Sequence, residues 1–390
     1  MVPARAARNP SPTPSSSTSP LLDAFDRQVL WCQTAAPFTA LVLQRTRLWL
    51  QRDPHAHAVL TAAALGSSRQ ADPLAAAIPL RWAAALHHLA LQGVAPFAGL
   101  WPSTAAGPGA AAGGAAASSP QVKAAVGRAL QVAWLKHRPQ LDRALAHPPQ
   151  TNEVQRSAAL LPALLHVAAK TRLPLALLEL GASAGLNLWC DRYRYEHGVW
   201  QWGDPAAPLV LRSEWLGPGP VAASEATPDF RVVYRAGCDL RPVDLTQSDE
   251  ALRLASFVWS DQADRLQRLR SATAAVLPWL QAAGTPVVAK PASAFLKAEL
   301  AQARPDTTTV LMHSVVWQYL GDEEQRLIFT QLESAGQRAT ANAPLAWVRF
   351  EPPAADGHVE LHCRIWPGRQ DMLLARCHPH GSRIEWLADA

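Results

Sequence analysis

The residues best placed to do chemistry stand in one run, Leu178-Glu179-Leu180-Gly181-Ala182-Ser183-Ala184-Gly185-Leu186-Asn187-Leu188. An apolar segment ends on an acid, passes through a loop of small residues and enters a helix start. Such a loop lets a backbone approach a ligand, and a helix start presents N–H groups with no partner of their own. Glu179 and Asn187 would contact that ligand or its water. Ser183 sits at Gly-x-Ser-x-Gly spacing, which on a sharp strand-to-helix turn exposes a nucleophilic hydroxyl. Three more polar residues close apolar segments downstream: Asp239, His313 and Glu351. An acid at such a place can grip vicinal hydroxyls, and a histidine titrates near neutral pH and can take a proton from an acceptor. Asn152, Glu153 and Arg156 open the helix before the run. That helix must run antiparallel to the strand it feeds, so its start lies where ligands bind in open α/β sheets. There Arg156 can pair with a carboxylate and Glu153 with an amine.

Glu179-x-Gly181-x-x-x-Gly185 resembles the first motif of class I S-adenosylmethionine methyltransferases. The resemblance implies that Gly181, Ser183 and Gly185 close around the methionine portion of the cofactor. Asp239 then corresponds to the acid that holds the ribose hydroxyls. It stands 60 residues after Glu179, against about 20 in a compact dinucleotide fold; an insertion at 193–216 accounts for most of the excess. At the third strand end the chain departs from the pattern. Lys290-Pro291 replaces the usual acid and small residue, and Ser293 or backbone groups would have to contact adenine. At the fourth, where methyl-transfer chemistry often sits, His313 is the expected base. Glu351, at the end of the fifth strand, is the second candidate.

Two other chemistries are open to the same residues. Gly181-x-Ser183-x-Gly185 also matches the nucleophile elbow of α/β-hydrolases, with Asp322 or Asp371 as acid and His378 or His380 as base. That fold builds several strands before its elbow, whereas the residues before Pro174 read as helical. His378-Pro379-His380 lacks a third ligand, so the motif reads as a turn and no metal is expected.

Strand-like and helix-like segments alternate around these residues. Strands are expected at 175–180, 231–238, 285–290, 308–313 and 345–350. Helices are expected at about 185–192, 248–257, 261–282, 292–302 and 322–335. Alternation of this kind predicts an α/β fold with a doubly wound, mostly parallel sheet. Segments 359–366 and 371–378 read as an antiparallel pair at its end. Tyr193-Arg194-Tyr195 and Val199-Trp200-Gln201-Trp202 flank His197-Gly198 as a hairpin, either a lid or a cover for the sheet edge. Thr151 is expected to cap a helix reaching Thr171, with Pro162 kinking it. The domain reading is a disordered tail at 1–20, a helical region at 21–150 and an α/β domain at 151–390. The helical region contains helices at Phe38–Gln51, Leu80–Gln92 and Gln121–Lys136 and a low-complexity stretch at 102–120.

Composition narrows the class. Hydrophobic residues make up 49% of the chain, enough for a sizeable core. The net charge of +5 is spread out, without the basic stripe of a nucleic-acid surface. Five cysteines without metal-knuckle spacing fit a reducing cytoplasm. No segment reads as a membrane span, and Arg5 and Arg8 run into Ser, Pro and Thr rather than a signal-peptide core.

A second resemblance covers about residue 21 to the C-terminus. It rests on Thr151-Asn152-Glu153-Val154, Leu178 to Leu188, Asp191-Arg192-Tyr193-Arg194-Tyr195, Gly237-Cys238-Asp239-Leu240-Arg241-Pro242-Val243-Asp244 and His378-Pro379-His380-Gly381. Together these resemble a bacterial domain family of unknown function, the one numbered two-three-three-two. The combined expectation is S-adenosylmethionine-dependent methyl transfer to a small or medium acceptor. The rival is a non-catalytic S-adenosylmethionine or nucleotide binder of the same fold.

Overall fold

The chain has 33 prolines, and its helices use them at their starts. The first turn of a helix leaves its N–H groups unpaired, so a ring nitrogen costs nothing there. In the computed structural model, α1 (Pro20–Cys32), α2 (Pro37–Leu50), α3 (Pro54–Leu65), α4 (Ile78–Leu91), α5 (Pro120–Lys136) and α6 (Arg138–Leu145) all carry Pro at the first or second position. The structure describes residues 19–65, 72–104, 119–220, 230–353, 358–368 and 370–388. Most of the expected tail and of the 102–120 stretch lies outside them.

Two compact units make up the chain: Pro10–Thr151 with Gln247–Gln267, and Asn152–Thr246 with Arg268–Ala390. The first is helical. Its core gathers Phe25, Leu43, Trp82, Phe97 and Trp101, and the Trp82 indole donates to Thr46 Oγ1 at 2.9 Å. A contiguous 21–150 region does not describe this unit, because residues 247–267 complete it. Asp261 caps α2 from far along the chain. Its carboxylate accepts from Phe38 N at 2.7 Å, Thr39 N at 3.0 Å and Thr39 Oγ1 at 2.7 Å. The residue at the local cap position is Ala36, which offers no side-chain acceptor.

The second unit is α/β. A short 3-10 turn, Val154–Arg156, leads into α7 (Ser157–Thr171), with the Glu153 side chain rather than Thr151 capping the entry. Strand β1 (Leu175–Leu180) is buried at every position, as a central strand covered on both faces must be. Residues 186–192 form a 3-10 helix. The insertion follows, with β2 (Arg194–Glu196) and β3 (Gln201–Trp202) pairing as the expected hairpin and β4 (Val210–Leu211) added parallel to β2. Then come β5 (Glu214–Leu216) and β6 (Val232–Asp239). Helix α8 (Ser248–Ser256) belongs to the helical unit. It is followed by α9 (Ala263–Ala283), β7 (Val287–Ala289), α10 (Ala292–Glu299), β8 (Thr308–Ser314), α11 (Asp322–Arg338) and β9 (Leu345–Glu351). The chain closes with β10 (Val359–Trp366), β11 (Asp371–Cys377) and β12 (Arg383–Trp386).

The main sheet has nine strands in the order β5-β12-β11-β10-β9-β8-β1-β6-β7. From β9 to β7 the neighbours are parallel, whereas β9 to β12 form an antiparallel meander. The sheet is therefore mixed but still mostly parallel, with five parallel and three antiparallel pairings. The connection from β9 to β10 is too short to carry a crossover helix, and a strand returned by a short loop must pair antiparallel. β5 and β12, which pair in parallel at the far edge, are too short to register as sequence patterns. Among the described residues, no helix is long and apolar enough to cross a membrane.

Candidate functional site

Strand order reverses at β1: β6 and β7 lie to one side, β8 and β9 to the other. In an open α/β sheet the crevice at the carboxyl end of such a strand is where ligands bind. Glu179, Gly181, Ser183, Gly185 and Asn187 are all there, with Asp239 ending the adjacent strand β6.

Glu179 is buried, and burial pushes its carboxyl up to about 8, against smaller opposing influences from Asn187 and Arg156. Its Oε2 has no hydrogen-bond partner. Ser183 is buried in a left-handed conformation at φ +53°, and its Oγ also lacks a partner. Asn187 accepts from Ser157 Oγ at 2.8 Å, tying the segment after the loop to the first turn of α7.

Four of the N–H groups in and just after the loop are already engaged. Ala182 N donates to Cys238 O at 3.0 Å, Gly185 N to Ala182 O at 2.7 Å and Leu186 N to Asn152 Oδ1 at 2.9 Å. Ser183 N donates to Asp239 Oδ2 at 3.0 Å, while Asp239 Oδ1 accepts from Arg241 N at 2.8 Å. Asp239 thus clamps the loop. The unpaired N–H groups expected at a helix start are absent from these positions because the strand ends have already satisfied them. At the third strand end Ser293 is occupied, its N and Oγ both donating to Glu324.

Arg156 reaches across the crevice. Its Nε donates to Pro379 O at 3.1 Å and its Nη1 to Ser314 O at 3.0 Å. Those bonds draw together the start of α7, the end of β8 and the His378-Pro379-His380-Gly381 turn. Gly381, at φ +72°, lets that turn approach closely: a Cβ there would lie 2.5 Å from Gln155 O. Ser213 Oγ bridges the same place, donating to Gly381 O at 2.6 Å and accepting from Gln155 Nε2 at 2.8 Å.

His313 and Glu351 are paired. His313 Nδ1 lies 2.6 Å from Glu351 Oε1, and its Nε2 accepts from the Trp347 indole at 3.1 Å. The indole bond fixes the proton on Nδ1, so neither ring nitrogen is open to a substrate proton. Glu351 Oε1 also accepts from Val316 N at 3.0 Å. The pair holds the segment after β8, in which Val315 is forced to φ +54°, a costly conformation for a β-branched residue. Val316 in turn covers Gly181, where a Cβ would come within 2.4 Å of its Cγ2.

No hydrolase triad is assembled. Ser183 Oγ meets no histidine, and Asp371 is committed to Arg349. His378 Nδ1 accepts from His380 N within its own turn. Among the described residues, no three His, Cys, Asp or Glu side chains are grouped to hold a metal ion.

The five sequence segments singled out by resemblance therefore converge. Asn152 caps the turn after the glycine loop, and Asp191 pairs with Arg235 of β6 at 2.5 Å. The Tyr193 and Tyr195 hydroxyls donate to Leu186 O and Cys190 O, each at 2.7 Å. Val243 N donates to Ser183 O at 3.1 Å. A family model matches residues 23–386, which take in every one of these segments. The chain belongs to the DUF2332 family. That family is described as an uncharacterized protein conserved in bacteria. No curated protein and no solved structure matches this DUF2332 chain. Gln155, Ser213 and Val316 were not among the residues that the sequence pointed to as parts of the DUF2332 site. Gln155 and Ser213 act through bonds between distant segments, and nothing in Ser314-Val315-Val316 signals a left-handed valine.

Proposed function

We propose that the α/β unit binds S-adenosylmethionine at the end of β1 and transfers its methyl group to a small or medium acceptor. The observation that carries this reading is the pair of buried, unpartnered atoms Glu179 Oε2 and Ser183 Oγ at the switch point of the sheet. Buried polar atoms are nearly always paired, and two orphans at one strand end and the loop that follows it call for a polar ligand group. The amino group of a methionine moiety fits: its charge would hold Glu179 ionised against burial, and Ser183 would add a hydroxyl. Arg156 lies on the same side for the carboxylate, and Asp239, at the end of the adjacent strand β6, is an acid placed for ribose hydroxyls. The loop N–H groups already spent on Cys238, Asp239 and Asn152 leave little cradle for a phosphate, which favours a sulfonium ligand over a nucleotide. When bound, the cofactor supplies an electrophilic methyl group. The residues named hold and orient it, and the His313–Glu351 pair supports the loop that covers Gly181.

A second reading, a binder that keeps the site and has lost turnover, draws on His313. With both ring nitrogens engaged, it offers no ready base.

Calorimetry of the full chain with S-adenosylmethionine and S-adenosylhomocysteine tests the reading. Micromolar binding of both is expected, weakened about tenfold or more in Glu179→Gln. Absence of binding by folded wild-type protein overturns it. Binding without methylation across a panel of amine, hydroxyl and thiol acceptors favours the second reading.

A further inference from the structure

A second concavity in the α/β unit, of about 270 Å³, opens beside β8, β9 and β10 and uses none of the residues assigned to the cofactor. It is lined by His313, Trp317, Trp347, Glu351, Glu360 and His362, with Pro352 and Pro353 completing the wall. Its location follows from register. Trp347, Arg349 and Glu351 alternate along β9, and Glu360 and His362 stand opposite Glu351 and Arg349 on β10, so all five share one face.

The chemistry of the lining is one-sided. Two indoles meet at 55° with their centroids 5.8 Å apart, and the His313 ring stacks on Trp317 at 5.3 Å. Two carboxylates accompany them: Glu360 Oε2 lies 3.0 Å from His362 Nε2, and Glu351 Oε2 is buried without a partner. The one arginine in the lining is already neutralised: Arg349 Nη2 donates to both Asp371 oxygens at 2.5 and 2.6 Å. Its guanidinium lies 4.3 Å from the centre of the Trp347 ring, so this indole already attracts a cation. The Trp347 N–H is committed to His313, and the two prolines carry no N–H at all. Aromatic faces and the unpartnered Glu351 oxygen, with the Trp347 and Arg349 donors spent, suit a positive charge clothed in alkyl groups and disfavour an anion.

We infer that this pocket binds an N-alkylated ammonium group beside the Trp317 and Trp347 rings, with Glu351 and Glu360 as counter-charges. The site is independent of the S-adenosylmethionine reading, and the two fail separately.

The test is a calorimetric titration of the full chain with choline and with its uncharged isostere, in which tert-butyl replaces trimethylammonium. The cation should bind about tenfold or more tightly than the isostere, since the shape is common and only the charge differs. Trp317→Leu and Glu360→Gln should each weaken choline about tenfold while leaving S-adenosylmethionine titration unchanged. Glu351 also supports the Val316 loop over Gly181, so Glu360→Gln rather than Glu351→Gln carries the charge test. Equal affinity for choline and the isostere overturns the proposal. So does choline affinity that survives Trp317→Leu, or no choline binding by protein with a native unfolding transition.

Discussion

Glu179 carries the sharpest consequence at the scale of single residues. Unfolded, its carboxyl ionises near 4.5, whereas folded it keeps its proton up to about 8, because burial penalises the charge. Between these pH values the native state holds the extra proton, so stability falls as pH rises through the window. His166 and His197 are held neutral by burial down to about 4 and oppose that slope below about pH 6.5. The comparison with Glu179→Gln removes their contribution. Urea unfolding should show the wild type losing a few kcal/mol relative to the variant between about pH 5 and about pH 8. An unchanged difference would mean that Glu179 is ionised throughout. Asp239 makes a different prediction. Asp239→Ala strands the Ser183 and Arg241 N–H groups and should cost about 2–3 kcal/mol, whereas Asp239→Asn keeps one acceptor and should cost about half of that. The loss of the clamp would disturb any ligand at the loop, so ligand binding is better probed through Glu179.

At the scale of elements, the glycine loop was legible because an apolar run ending on an acid and small residues has few structural readings. The strands β1, β6, β8, β9, β10 and β11 were legible for the same reason: each is long enough to show a pattern between turn signals. What escaped has physical causes. β5 and β12 have three and four residues and gain their identity only from each other. α3 is alanine-rich, with little difference between its faces. The His378-Pro379-His380-Gly381 turn was legible as a turn but not as a docking piece, since its partner Gln155 lies more than two hundred residues earlier. Gly381 tests that docking. Gly198 and Gly381 both have positive φ, but nothing lies within 4 Å of a Cβ at Gly198. Gly198→Ala should cost the backbone strain alone, about 1–2 kcal/mol. Gly381→Ala adds a clash of backbone against backbone and should cost about 3 kcal/mol or more in urea unfolding. Equal losses would mean that the turn does not need its close approach to Gln155.

At the scale of the whole molecule, the chain leaves its α/β unit after Thr246, completes the helical unit with Gln247–Gln267 and returns. The helical unit is therefore not finished when its six leading helices have been made. α2 begins at Pro37 without a local capping side chain, and the acceptor it needs is Asp261. Ser256 O likewise supplies the partner of the buried His87 Nδ1 at 3.1 Å. No local pattern announces such a cap, because the rule that reads caps from sequence looks only at the residues beside the helix. Asp261→Ala removes three charge-assisted bonds and should destabilise the helical unit by about 2–3 kcal/mol. Asp26→Ala is the matched control. It breaks only a surface pair with Arg47, whose acidic partner is half exposed, and should cost less than about 1 kcal/mol. Because two units can unfold separately, a single midpoint is a poor readout, and hydrogen exchange by residue is the better one. In Asp261→Ala the amides of Phe38 and Thr39 and the first turn of α2 should exchange faster, while those of β1 keep their protection. Unchanged exchange at Phe38 and Thr39 would mean that the helix finds its cap elsewhere. Loss of protection in β1 as well would mean that the two units stand or fall as one.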